Sequence, residues 1–191
     1  PGLAGGMFHV VEAVRQLREL GVRQCAMVTG DNEAIARTVA GKVDIGEIRA
    51  GCLPEEKAAY VRELRAAGDL VAMVGDGVND APALAAGDIG IAMGAIGSDV
   101  AIQSASVALM NNDLRRIPFF IALARKARLF MNQNLALGLG FILLGLYFSP
   151  IGVVSPVAAA LLHSTSSLLI IFNSARLVRA GEELQASDIS G

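Results

Sequence analysis

The chain has 191 residues, of which 53% are hydrophobic and only 18% are charged, and its mean hydropathy is +0.53. A soluble domain is usually about 45–50% apolar and about 25% charged, so this composition excludes disorder and collagen and indicates more apolar surface than one core needs. The net charge of −2 offers no basic surplus for nucleic acid, and the two cysteines, Cys25 and Cys52, form neither a disulfide framework nor a C-x-x-C zinc motif.

Residues 1–117 alternate between helical and strand patterns. Such alternation predicts an α/β fold of the Rossmann-like kind, with a parallel sheet covered by helices. The strand at Leu70–Val74 is expected to be buried. The predicted helices are Phe8–Leu20, Asn32–Ala40, Pro54–Ala66, Ala81–Ala86 and Asp99–Ser104, and the other predicted strands are Gln24–Thr29, Ile48–Ala50, Ile89–Ala92 and Val107–Met110.

Two acidic loops follow predicted strands directly. The first is Thr29-Gly30-Asp31, and the second runs from Gly75 through Asp76, Asn79 and Asp80. Function in parallel sheets lies at the carboxyl ends of the strands, so both loops should meet at one edge. Two carboxylates four residues apart offer hard oxygen ligands that suit Mg²⁺, which takes one or two carboxylates together with phosphate oxygens.

Lys57, in the helix that Pro54 begins, could supply a positive charge to a phosphoryl oxygen at this edge. Taken alone, T-G-D is more typical of a turn that caps a helix, and a single lysine is more typical of a solvated surface. The sequence G-D-G-V-N-D-A-P at residues 75–82 is different, because it places three acidic or amide side chains and two glycines in one loop. The needs of a turn alone do not explain so many acidic, amide and glycine residues in one loop.

From Leu129 to Ala175 the chain contains no Asp, Glu, Lys or Arg. A membrane span needs about 20 mainly apolar residues, and this stretch is more than twice as long. Pro150, Gly152 and Pro156 interrupt it, where they break a helix and reverse the chain. We predict a transmembrane hairpin with spans at about 130–148 and 154–175; a buried hairpin in a soluble protein is the alternative.

Basic residues flank this stretch on both sides, which predicts that both of its ends are cytoplasmic. The resulting organisation is a cytoplasmic domain at 1–117, a connecting helix and hairpin at 118–179, and a cytoplasmic tail at 180–191. The chain begins with Pro1 and shows no signal peptide, so we expect it to be a fragment of a longer protein. The flanking residues are Arg115, Arg116, Arg125, Lys126, Arg128, Arg176 and Arg179.

Three motifs together resemble the phosphorylation domain of the P-type ATPases, within the haloacid-dehalogenase-like superfamily. They are T-G-D at 29–31, P-E-E-K at 54–57 and G-D-G-V-N-D-A-P-A-L at 75–84, and their order and spacing fit. The resemblance implies that Asp76 is the Mg²⁺ ligand and that Asn79 and Asp80 hold the metal and phosphoryl network. It also implies that the Thr29–Asp31 loop lies on the phosphate side and that Lys57 contacts phosphate.

Three later segments, Gly94–Asp99, Ala108–Pro118 and Asn173–Leu177, resemble the heavy-metal-transporting members of that family. A single hairpin after the domain fits the same subfamily. The resemblance implies ATP-driven transport of a heavy-metal cation through an aspartyl phosphate, with Mg²⁺ and ATP required. It further implies an integral protein of the plasma membrane whose N-terminal domain is cytoplasmic.

The family's phosphorylated aspartate lies in a D-K-T-G-T motif, which this sequence does not contain. The nucleotide-binding domain, the actuator domain and the earlier spans of the family are absent as well. The missing N-terminal part of the same pump is therefore an expected partner, besides membrane lipid and the transported ion, and the fragment alone should be inactive. The alternatives are a soluble phosphatase of the same superfamily and a non-catalytic, membrane-anchored binding module.

The second span carries the candidates for the transported ion: His163, Ser166 and Ser167. An ionisable group inside a membrane is a functional candidate, and imidazole suits zinc, cobalt or nickel better than copper(I). Copper members of the family carry Met at this position, and zinc and cadmium members carry an intramembrane Lys and Asp, none of which is present. A divalent metal is favoured; the alternative is that His163 only bonds a neighbouring helix. The amides at 132–134 are predicted to be interfacial.

Overall fold

In a computed structural model, which describes residues 3–76, 79–94, 103–152 and 155–189, helices and strands alternate in the N-terminal part as the sequence predicts. The chain divides into two units, Pro1–Pro118 and Phe119–Gly191. In chain order the elements of the first unit are α1 (Leu3–Glu19), β1 (Ala26–Val28), α2 (Glu33–Lys42), β2 (Glu47–Arg49), α3 (Pro54–Ala66), β3 (Ala72–Gly75), α4 (Ala81–Ala86), β4 (Ile89–Ala92) and β5 (Val107–Ala108).

Every strand pair among the described residues is parallel, which confirms the predicted α/β class. The strands form two groups: β1 pairs with β2, and β3, β4 and β5 pair in that order. Within the described part of the chain, β1 and β3 each hydrogen-bond to a strand on one side only. Both therefore present a backbone edge on which a further strand can pair.

Local signals explain where the helices begin. The side chain of Asn32 accepts a hydrogen bond from the backbone N–H of Ile35 and so caps α2. Pro54 occupies the first turn of α3, where its missing N–H costs nothing, and the Glu56 carboxylate accepts the N–H of Leu53 at 2.7 Å.

The core of the first unit lies between α3, α4 and the three-stranded sheet. Its central residues are small, which lets helix and sheet approach closely, and the only large fully buried side chain among its members is Leu84 of α4. Against it pack Ala58 and Val61 of α3, Met73 of β3, Ala83 and Ala86 of α4, and Ala92 of β4.

Two predictions about the strands need correction. The strand predicted at Leu70–Val74 begins only at Ala72, and the side chain of Leu70 is 91% exposed rather than buried. The Asp88 carboxylate accepts the N–H of Val71 at 2.9 Å, which fixes the backbone just before the strand. That N–H and the Arg65 guanidinium hold the pKa of Asp88 below its usual value.

The last strand, predicted to reach Met110, ends at Ala108. The helix predicted at Asp99–Ser104 falls mostly outside the described residues. Only residues 103 and 104 of this range are described, and both are helical.

The second unit is built from two long apolar helices, α5 (Arg116–Phe148), which begins just before the boundary, and α6 (Pro156–Ile189). Over Arg116–Phe148 and Pro156–Leu184, both are long and apolar enough to cross a membrane, and their apolar windows are 0% buried. The first ends at Phe148, as predicted. The second continues past the predicted span end at Ala175 into the predicted tail. Between them Gly152 adopts φ +71° in the turn, a conformation that a side chain would disfavour.

Candidate functional site

The carboxyl ends of β1 and β3 carry the residues that the sequence singled out. Thr29, Gly30 and Asp31 follow β1, and Asp76 follows β3. Asn79 and Asp80 lie just before α4. Gly77 and Val78 of the same loop lie outside the described residues.

The Thr29–Asp31 loop is held by hydrogen bonds to itself and to the segment that leads into α3. The Thr29 hydroxyl donates to the Asp31 carboxylate and accepts the Asp31 N–H, both at 3.1 Å. The carbonyl of Thr29 accepts the N–H of Cys52 at 3.0 Å, and that of Asp31 accepts the N–H of Gly51 at 2.8 Å. The loop is thereby fixed next to the start of the helix that carries Lys57.

Lys57 is the centre of the candidate site and is not a solvated surface lysine. Its Nζ lies 2.7 Å from Oδ1 of Asp80, and the two side chains are only 13% and 14% exposed. Removing one partner of such a pair leaves the other part-buried charge uncompensated, which destabilises the fold. The pair therefore ties α3 to the loop before α4 and holds a cation and a carboxylate together near the ends of the strands.

Gly75 allows the Asp80 side chain to fold back over the end of β3. A Cβ placed on Gly75 would lie 2.5 Å from Oδ2 and 2.7 Å from Cβ of Asp80, which is too close for any side chain. This close approach explains a glycine at the first position of the G-D-G-V-N-D-A-P motif.

Replacing Gly75 by Ala should therefore displace Asp80 and separate it from Lys57. We expect a loss of about 1–3 kcal/mol in the stability of the domain, as for other overpacked sites. The melting temperature of the variant should fall, as measured by thermal unfolding. Gly46→Ala is the matched control, because a Cβ there meets nothing within 4 Å. Equal behaviour of the two variants would contradict the packing argument.

The oxygen atoms around this pair fit a hard divalent cation. Asp76 and Asn79 are exposed, and Oδ1 of Asp80 is the oxygen that bonds Lys57, which leaves Oδ2 for a second contact. No group of three or more His, Cys, Asp or Glu side chains that could hold a metal occurs in the described ranges. Mg²⁺ nevertheless fits this donor set, because it commonly takes one or two carboxylates and completes its shell with waters and phosphate oxygens.

In the second unit, the hydroxyls near His163 contact its backbone rather than its imidazole. Ser166 and Ser167 donate to the His163 carbonyl at 2.8 Å and 3.0 Å, as serines in helices often do. Ser166 is buried, whereas His163 is exposed. The structure thus gives the imidazole no hydroxyl partner in this cluster.

A polar cluster between α5 and α6 was missed by the sequence analysis, which took the amides at 132–134 as interfacial. Asn173 donates to Oδ1 of Asn134 at 2.9 Å and to Oε1 of Gln133 at 3.3 Å. Asn134 in turn donates to the Ser174 hydroxyl at 2.8 Å. The sequence contained one indication of this cluster, because adjacent polar residues occur at the corresponding ends of both apolar stretches.

The first unit matches a known class of protein. A family model described as haloacid dehalogenase-like hydrolase matches residues 7–88. This range contains α2, β1, β2, α3, β3 and α4, and with them all the candidate residues of the first unit.

Several known proteins match almost the whole of this chain. The chain is 47% identical over 171 residues to a manganese-exporting P-type ATPase of Mycobacterium tuberculosis, which covers 90% of this chain and 24% of the relative. It is also 47% identical to a zinc-exporting P-type ATPase of Mycobacterium marinum, over 90% of this chain and 23% of the relative. A crystal structure of a zinc-transporting PIB-type ATPase in its E2.Pi state superposes with a TM-score of 0.79 at 38% identity, over 87% of this chain and 27% of that one.

The chain therefore belongs to the P-type ATPases, and the predicted fold class, a haloacid-dehalogenase-like domain followed by a two-helix hairpin, is confirmed. It spans about a quarter of the length of the relatives that it matches.

Proposed function

We propose that this chain supplies part of the phosphorylation domain and a membrane hairpin to a pump that exports a divalent heavy-metal cation at the expense of ATP. The observation that carries the proposal is the part-buried Lys57–Asp80 pair near the ends of β1 and β3, in a chain that also contains two helices able to span a membrane. The names of its relatives, which export manganese and zinc, support a divalent cargo.

Within the first unit, each candidate residue has a role that its position supports. Lys57 and the Thr29 hydroxyl hold the phosphoryl group, and Gly30 lets its oxygens approach the backbone. Asp76 binds Mg²⁺, with Asp80 and Asn79 completing the polar network and Asp31 orienting Thr29. When bound, Mg²⁺ neutralises charge on the transferring phosphoryl group.

The phosphorylated aspartate has to come from outside this sequence, which lacks D-K-T-G-T. The single-sided pairing of β1 and β3 supports this assignment, because a parallel strand that pairs with one of these edges would bring its carboxyl end to the same side as Asp31 and Asp76. The partner is the rest of the pump, which in the relatives makes up about three quarters of the length.

The second unit supports a membrane location for the pump, and the flanking charges favour a cytoplasmic first unit. Arg125, Lys126 and Arg128 precede the apolar part of α5, and Arg176 and Arg179 follow that of α6, which favours the cytoplasm for both ends. In α6, His163 contacts the cation, while Ser166 and Ser167 fix the backbone around it. A soluble phosphatase would need these helices to be covered, yet no residue of their apolar windows is buried within this chain.

Purified residues 1–191 should show no ATPase activity, because they contain no counterpart of the phosphorylated aspartate. The complete pump should hydrolyse ATP in the presence of Mg²⁺ and accelerate when Mn²⁺ or Zn²⁺ is added. A phosphate-release assay on both proteins, with each metal in turn, checks this expectation. Mg²⁺-dependent turnover by the fragment would favour the phosphatase, and a complete protein that hydrolyses nothing would favour the anchored binding module.

A further inference from the structure

The polar cluster between the two long helices is organised around one amide. Asn173 of α6 donates to Asn134 and Gln133 of α5 and accepts a hydrogen bond from the Arg176 guanidinium at 3.1 Å. The Arg176 guanidinium also lies over the ring of Phe130, 5.2 Å from its centroid. The side-chain amide of Asn173 thus uses both its donor and its acceptor, and it joins the helices across 39 and 40 positions of sequence.

A second hydrogen bond across the helix pair lies beside the first. Asn134 donates to the Ser174 hydroxyl, and that hydroxyl donates to the carbonyl of Ile170, both at 2.8 Å. Because each bond needs its partners at one level, a slip of α6 along α5 by one turn would break the whole cluster. Amide hydrogen bonds between helices in a membrane are individually modest but specific in geometry.

The cluster lies on the same two helices that carry His163 and that follow the first unit in the chain. Asn173 lies ten residues after His163 on α6, which is about 15 Å along the helix axis. In the other direction, α5 continues without interruption from Arg116 to Phe148, so the helix that carries Asn134 begins eight residues after the last strand of the first unit.

We propose that Asn173 is a positioning residue that holds α6 in one register on α5, so that a shift of α5 carries His163 with it. This inference rests on the proposed function and adds a specific element to it: the amide cluster transmits movement between the phosphorylation site and the cation site. It does not itself bind the cation.

A role in the cation path is the competing explanation. Gln133 and Asn173 border a groove of about 570 Å³ whose walls include Leu137, Gly140 and Leu144. Amide oxygens on such a groove could bind a passing cation. The two roles differ in what they change, because a ligand sets the KM for the metal, whereas a positioning residue sets how much metal is moved per ATP.

The test uses the complete pump in proteoliposomes, with Mn²⁺ and Zn²⁺ as the transported ions. Asn173→Leu removes the amide at similar volume. The double variant Gln133→Asn/Asn173→Gln exchanges the two amides and keeps their combined length. Asn132→Leu is the matched control, since Asn132 is exposed and takes no part in the hydrogen bonds of the cluster.

We expect Asn173→Leu to lower the metal transported per ATP by at least about fivefold, the lower end of measured couplings between sites. Its KM for the metal and its phosphorylation by inorganic phosphate should stay unchanged, and the exchanged pair should recover the wild-type ratio. If Asn173→Leu does not fold, Asn134→Leu/Asn173→Leu replaces both partners of the 2.9 Å hydrogen bond, so that neither amide of that pair is left without the other.

An unchanged transport ratio in Asn173→Leu or in the double leucine variant would overturn the inference, as would a raised KM with an unchanged ratio. Failure of the exchanged pair to recover the ratio would overturn it as well. A wild-type pump without metal-stimulated hydrolysis would overturn the proposed function and this inference with it.

Discussion

Asp76→Asn in the complete pump should remove nearly all Mg²⁺-dependent phosphorylation by ATP. Asp76 stands directly after β3, and its exposed carboxylate offers a hard oxygen ligand at this edge. A neutral amide is a much poorer ligand for Mg²⁺. Loss of one group that stabilises developing charge commonly costs about 10²–10³ in rate, and we expect a loss of that order.

The measurement is the initial rate of phosphoenzyme formation across a range of Mg²⁺ concentrations. Asp69→Asn is the matched control, because Asp69 precedes β3 at the opposite end and pairs with Arg23 at 2.6 Å on the surface. An exposed pair of this kind contributes about 0–1 kcal/mol, so the control should remain active. A normal rate with normal Mg²⁺ dependence in Asp76→Asn would refute the assignment.

His163→Ala should abolish stimulation by the transported metal while leaving the cytoplasmic chemistry intact. His163 is the only histidine within the two long helices, and no other ionisable side chain occurs between Leu129 and Ala175 apart from Tyr147. On the proposed function, metal-dependent phosphorylation by ATP requires the cation site to be filled, whereas phosphorylation by inorganic phosphate requires only the cytoplasmic phosphorylation site, of which the first unit is a part. The first should fall to the metal-free level, and the second should persist.

The experiment measures both reactions with Mn²⁺, Zn²⁺, Co²⁺ and Ni²⁺. Ser164→Ala, which changes the neighbouring exposed residue of α6, serves as the control. Should every metal stimulate His163→Ala as it does the wild type, His163 would have a structural role, and the cation ligands would lie in the other spans of the pump.

The elements that depend on local signals could be predicted from sequence. Pro54 and Asn32 mark helix starts, and the charge-free stretch marks the hairpin, because caps, prolines and burial of charge act within a few residues. The positions of the two acidic loops directly after strands could also be predicted, because they too depend on local sequence.

Features that depend on packing between distant segments could not be predicted. The contact of Lys57 with Asp80 joins residues 23 apart and exists only because α3 packs against α4. Asn173 and Asn134 meet only because the hairpin adopts one register. Leu70 was expected to be buried from its apolar character alone, whereas it lies outside the paired part of β3.

The preference of Ser166 and Ser167 for the His163 carbonyl follows from helix geometry, since their hydroxyls reach the carbonyl three or four residues earlier. A shared helical face therefore did not bring these hydroxyls to the imidazole.

The most direct test of the central claim is phosphoenzyme formation by the complete pump with ATP labelled at the γ-phosphate. We expect an acid-stable, hydroxylamine-sensitive acyl phosphate that appears only with Mg²⁺ and a transported divalent metal. Its amount should be strongly reduced in Asp76→Asn. Hydrolysis of phosphate esters without any phosphoenzyme, or an acyl phosphate indifferent to every divalent metal tested, would contradict the assignment of this chain to a metal-driven cycle.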